Sequence, residues 1–129
     1  MAALRLITVV NTTRNSTLAE RCELANTFVS RLRGLMGRVA LEPGQALLIY
    51  PENSIHMFFM RFPIDVLFLD RDDRVVALRE AMPPNRSFAS KWGARSTLEL
   101  PAHIIAATGT QVGDQLALTP SPHSRKQVS

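Results

Sequence analysis

SIHMFFMRFPIDVLFLD, residues 54–70, contains two strand-like apolar stretches that meet at Pro63 and are interrupted by His56, Arg61 and Asp65. Read with period two, Ile64, Val66 and Phe68 share one face, and Asp65 shares the other with Leu67 and Leu69. A carboxylate on an apolar face needs a partner, because an unpaired buried charge is costly enough that the group takes up a proton instead. An Arg, a His or backbone N–H groups should therefore lie within reach of Asp65.

Working outward from this stretch gives a series of short strands. Upstream, 4–11 and 17–25 read as a hairpin around the polar turn 12–16. Cys22, the single cysteine, reads as a small buried hydrophobe rather than a nucleophile. Asn26 or Thr27 can cap a short helix whose apolar positions, Phe28, Val29, Leu32, Leu35 and Met36, follow the 3.6 period, with Gly37 as its stop. The segment 21–38 carries Arg21, Arg31, Arg33 and Arg38 against Glu23 alone, read as a solvated basic face with cations near a helix C-terminus. Pro43-Gly44 marks a turn before a strand over 46–50.

Downstream, 70–74 is a charged hairpin turn and 75–80 its return strand. Residues 82–95 read as a long connection, functional or mobile, containing Phe88 and Trp92. A loop aromatic more often anchors its loop to the core than stacks on a ligand. A strand over 97–100 stops at Pro101, one helical turn over 102–108 stops at Gly109, and Val112-Gly113-Asp114 turns into a last strand over 115–118. About eight strands with one or two short helices predict a mainly β fold, a single-domain sandwich or partly closed barrel spanning 1–118. Residues 119–129, polar and proline-containing, are expected to be a disordered tail.

The 129 residues suit one domain, and 46% hydrophobic with 20% charged residues is a globular balance. The net charge of +4 leaves 13 basic against 11 acidic residues over positions 1–119, which argues against a surface that tracks a nucleic-acid backbone. No apolar run approaches membrane-spanning length. The stretch 6–10 after Arg5 is too short for a signal-peptide core, so the cytoplasm is the default expectation. The three histidines show no metal-ligand spacing, there is no glycine-rich phosphate loop, and no cofactor is expected.

RLRGLMGR at 31–38, SIHMFFMRFPIDVLFLD at 54–70, LELP at 98–101 and VGD at 112–114, in this order and at these separations, make the chain resemble the domain-of-unknown-function family 192, also called uncharacterised protein family 0127. The resemblance covers roughly 17–118 and implies a mostly β single domain with no established activity, substrate or cofactor. It picks out Arg33, Gly34, Leu35, Met36, Met60, Pro63, Asp65, Phe68, Glu99, Gly113 and Asp114. His56 fits one branch of the family, and His103 stands where the resemblance implies glycine.

Arg33 and Asp65 are the natural ion pair, structural or held for recognition. His56 is either a hydrogen-bonded core histidine or a proton shuttle oriented by Asp65 or Glu99. The leading expectation is non-covalent binding of a small polar or anionic ligand, or a peptide segment, near Arg33, His56, Met60, Asp65 and Trp92. A hydrolase or isomerase using His56 with Asp65 or Glu99 is the alternative. An interaction module with no pocket is the third reading.

Overall fold

Strand β1, Leu6–Asn11, and strand β2, Ser16–Ala25, form the expected opening hairpin in a computed structural model that describes residues 6–27, 38–56, 60–84 and 88–122, the side chain of His56 excepted. The helix expected over 28–36 lies outside these residues. The hairpin register shifts twice, between Ile7 and Val9 and between Val9 and Val10. Such β-bulges bend a strand pair, and here they accompany the burial of Leu18, Ala19 and Cys22 together in one core. Gly44, at φ 89, lets the chain turn so that its carbonyl accepts both the Glu20 and the Arg21 N–H.

Strand β3, Gln45–Ile49, runs parallel to β2. Strands β5, Ile64–Leu69, and β6, Val75–Met82, make the second hairpin. Strand β8, Ser96–Pro101, inserts between β5 and β3, and β9, Leu116–Pro120, pairs with β1. The seven-stranded sheet has the order β6-β5-β8-β3-β2-β1-β9. Its two edges meet at one end: Arg74 bridges Gln115, Gly113 N–H donates to the Val75 carbonyl, and Leu116 N–H donates to that of Asp73. The sheet is therefore a curled half-barrel, one of the two β architectures, sandwich or partly closed barrel, that the number and spacing of strands left open. Gly113 sits at φ 97 in this latch, a conformation that disfavours any Cβ. Asp114 fixes it with one oxygen, Oδ2, which accepts Asn11 Nδ2 at 2.9 Å, Arg14 Nε at 3.0 Å and Gln111 N–H at 2.9 Å. Burial alone would raise the Asp114 pKa, but these donors and the Arg14 charge outweigh it and hold the carboxyl below its ordinary value.

Two cores lie on the two faces of the sheet. Leu67, Leu69, Leu98 and Leu100 point into one, with Val9, Cys22, Leu48 and Leu116. Ile64, Val66 and Phe68 point into the other, with Leu47, Ile49, Met60 and Met82. The predicted alternation along β5 is thus observed, and every residue of that strand is buried. The second core is covered by a small ribbon of β4, Ser54–His56, and β7, Phe88–Ser90, whose Ile55 and Ala89 are register partners and face inward.

Three expectations need correction. The segment 82–95 is not one long connection: β6 runs to Met82, and β7 lies within it. Three residues are too few for a pattern of their own, and β7 exists because β4 supplies its backbone partners. Phe88 and Trp92 do not anchor this segment, being 66% and 93% exposed. Trp92 occupies a tight turn closed by the Ala94 N–H to the Lys91 carbonyl, with Gly93 at φ 87, a geometry that projects the residue before the glycine outward. Finally, the chain beyond 118 is not all tail. Thr119 and Pro120 pair with Thr8 and Ile7, and buried Ser121 donates its N–H to Leu6 and its hydroxyl to the Glu20 carbonyl.

Candidate functional site

Asp65 is fully buried on β5, and backbone amides donate to both of its carboxyl oxygens. At its position β5 and β6 fall out of register, since Ile64 pairs with Met82 while Val66 pairs with Arg79. Ala81, at φ 47, turns its N–H onto Asp65 Oδ1 at 2.8 Å. The other oxygen, Oδ2, accepts the Ile105 N–H at 2.8 Å, one of the first amides of the five-residue helix α1, Ile104–Thr108. Amides at a helix start have no partner within the helix. Asp65 thus caps α1 from a distant strand, while His103, at φ 79 and ψ 2, makes no side-chain cap. Of the donors anticipated for Asp65, the backbone supplies these two; Arg33 lies outside the described residues.

Glu99 sits one strand away and points the other way. Leu98 and Leu100 face the first core, so Glu99 between them faces the second, flanked in register by Leu47 of β3 and Val66 of β5. The structure therefore does not bring Asp65 and Glu99 together: the sheet separates them. Glu99 is 2% exposed, and its Oε1 has no hydrogen-bond partner among the described residues. Burial pushes its carboxyl from an ordinary 4.5 up to about 8, against the opposing pull of the Arg38 charge. Burial among apolar walls thus favours the protonated acid, which presents one O–H donor.

Arg38 binds Glu23 through Nη1 at 2.9 Å, and both side chains are about one-third exposed. Glu23 is the register partner of Leu47, itself the partner of Glu99. A row across this face of the sheet thus runs Glu23, Leu47, Glu99, Val66. An ion pair open to solvent stands at one end, and a buried acid lies two strands further in. Met60 is buried in the core on the same side. Sequence reasoning counted Arg38 only within a basic cluster; its proximity to Glu99 follows from the sheet order, for which one segment carries no signal.

The His56 backbone pairs with that of Phe88 in the ribbon, which covers the face carrying Glu99. Trp92 stands exposed two residues beyond β7. Cys22 is completely buried, with its thiol pushed up to about 12 by burial and by the nearby Glu23 charge, so it is no nucleophile. Among the described residues, no group of three or more His, Cys, Asp or Glu is arranged to hold a metal ion. No described helix is long and apolar enough to cross a membrane.

Residues 9–118 match the model of the family DUF192, described as uncharacterized ACR. An uncharacterised UPF0127 protein of Thermococcus sibiricus is 35% identical over 112 residues, covering 84% of this chain and 72% of its own. Another, from Pyrococcus furiosus, is 33% identical over 114 residues, covering 84% and 95%. Two solved structures share the fold. A protein of unknown function from Novosphingobium aromaticivorans superposes with a TM-score of 0.75 at 24% identity, over 87% of this chain and 83% of that one. A protein from Sinorhizobium meliloti described as a putative transcription regulator gives 0.78 at 22% identity, over 92% and 97%.

Proposed function

The chain belongs to the DUF192 family of uncharacterised proteins, and we propose that it binds a small polar or anionic ligand, without covalent catalysis, on the face of the sheet that carries Glu99. The observation that carries this reading is the Glu99 carboxyl, buried among apolar side chains with Oε1 unmatched among the described residues. Buried polar atoms are nearly always hydrogen-bonded, and one left over asks for a partner. Removing an acid from this position and filling it with a leucine would suit Leu47 and Val66 better, so a role in packing does not account for it. The adjacent Arg38–Glu23 pair supplies a polar, solvent-reachable rim.

Within this reading Asp65 is a positioning residue, spent on shaping the β6 bulge and the start of α1. Arg33, His56 and Trp92 belong to the proposal as ligand contacts to be tested. A thermal-shift panel of carboxylates, phosphates and sugar acids at fixed ionic strength is the experiment. A true ligand at a hundredfold excess over its dissociation constant stabilises by about 2.7 kcal/mol. Arg33→Lys should blunt the response, since lysine keeps the charge but loses the planar two-point geometry. A panel in which no compound shifts the protein refutes the reading and leaves an interaction module in its place. The burial of the Glu99 carboxyl favours the acid–base alternative, with His56 as base, because a raised carboxyl pKa is what a general acid requires.

A further inference from the structure

Resting on that reading, we propose that the buried Glu99 carboxyl recognises its ligand as a hydrogen-bond donor, and that the ligand is a small, singly charged carboxylate whose binding weakens once Glu99 ionises. Three observations lead there. Oε1 of Glu99 is buried and has no partner among the described residues. Its register neighbours on both sides are aliphatic, Leu47 and Val66. The charged groups described near this position are Arg38 and, bound to it, Glu23. Asp65 faces the opposite side of the sheet, and Arg79, the partner of Val66, is exposed and donates to the Leu78 carbonyl.

These features discriminate between ligand classes. A cation would have to compete with Arg38 and would need Glu99 ionised inside an apolar layer. A carboxylate meets the reverse situation, a buried O–H donor with no partner among the described residues and the Arg38 guanidinium nearby, and can accept a charge-assisted O–H···O⁻ bond. A doubly charged phosphate carries a far larger desolvation cost against Leu47, Val66 and Met60 than a single charge does. The acid and the ligand carboxylate share one proton, so the complex forms from neutral Glu99 directly, or from ionised Glu99 together with a proton from solvent.

The test is calorimetric titration of the protein with acetate, propionate and glycolate from about pH 6 to about pH 9.5, with inorganic phosphate and methylammonium as comparison probes. Affinity for the carboxylates should be flat below pH 7 and fall toward tenfold per pH unit once Glu99 ionises. Glu99→Gln keeps a donor that does not titrate, so it should bind with a flat profile across the range. Glu99→Leu should fold and not bind; were it not to fold, the Glu99→Gln profile decides alone. Carboxylate affinity that is flat with pH in the parent, or methylammonium affinity that rises with pH, overturns the proposal while leaving ligand binding intact. Silence from every probe at every pH overturns the binding reading and this inference with it.

Discussion

Replacing Glu99 with leucine should make the ligand-free protein more stable, by an amount that grows with pH. The folded state holds a proton on Glu99 up to about pH 8, whereas the unfolded chain releases it near 4.5. Between those values the folded state binds more protons than the unfolded one, so the parent loses stability as pH rises through the window and levels off above it. The interval from 4.5 to about 8, at about 1.4 kcal/mol per pH unit, amounts to roughly 5 kcal/mol. Leucine has no proton to lose and adds apolar contact beside Leu47 and Val66. Urea denaturation of parent and variant from about pH 5 to about pH 9 reads the difference, with equal m-values required for the comparison. Two stability curves that run parallel between pH 5 and pH 8 would show that Glu99 is ionised in the folded state and that its environment is far more polar than its burial implies.

Asp65→Ala leaves the Ala81 and Ile105 amides without their acceptor, at about 1–3 kcal/mol each; an unchanged denaturation midpoint would refute the capping role. His103→Gly should raise the melting temperature, because a non-glycine residue at φ 79 carries about 1–2 kcal/mol of strain, partly offset by the greater freedom of glycine in the unfolded chain; no gain would mean that the His103 side chain makes a compensating contact. Arg14→Ala should flatten the acid limb of the stability profile: the Asp114 contribution is present above pH 3.8 and lost as pH falls through the depressed folded value, so an acid limb matching that of the parent would show that Arg14 does not hold it down. Truncation before Thr119 should destabilise the protein by removing the β1 partners Thr119 and Pro120 and the Ser121 bonds to Leu6 and Glu20; an unchanged melting temperature would mean that the end of β9 contributes nothing.

Much of the strand layout was legible because it is local. The hairpin turns at 12–15 and 70–74, the stop at Gly109, and the alternation of Ile64, Val66 and Phe68 against Leu67 and Leu69 all depend on neighbours within a few residues. The site was less legible for the complementary reason. Asp65 was visible as a misplaced carboxylate and Glu99 only as a position of the family pattern and a possible partner for His56; that the two face opposite sides follows from Asp65 pairing with Leu100 and Val66 with Glu99, a register between strands more than thirty residues apart. The donors for Asp65 are backbone amides, which every residue type but proline carries, so sequence pointed first to an arginine. Trp92 misled through its hydrophobicity: turn geometry at Gly93, not side-chain preference, sets its exposure.

The position of β1 between β2 and β9 has a consequence for how the chain acquires its structure. One side of β1 is satisfied at once by the adjoining hairpin. The other waits for residues 116–120, about a hundred positions later, and the latch from Asp73 and Val75 to Gly113 and Leu116 waits with it. Sheets dominated by such distant pairings fold in milliseconds to seconds rather than microseconds, because the loop-closure entropy is lost before the contacts repay it. During that interval both the β1 edge and the β6 end of the sheet are open ladders, able to pair with another chain. The C-terminal strand therefore acts as a late-arriving guard against self-association, and slow docking of β9 should set the concentration above which refolding gives way to aggregation.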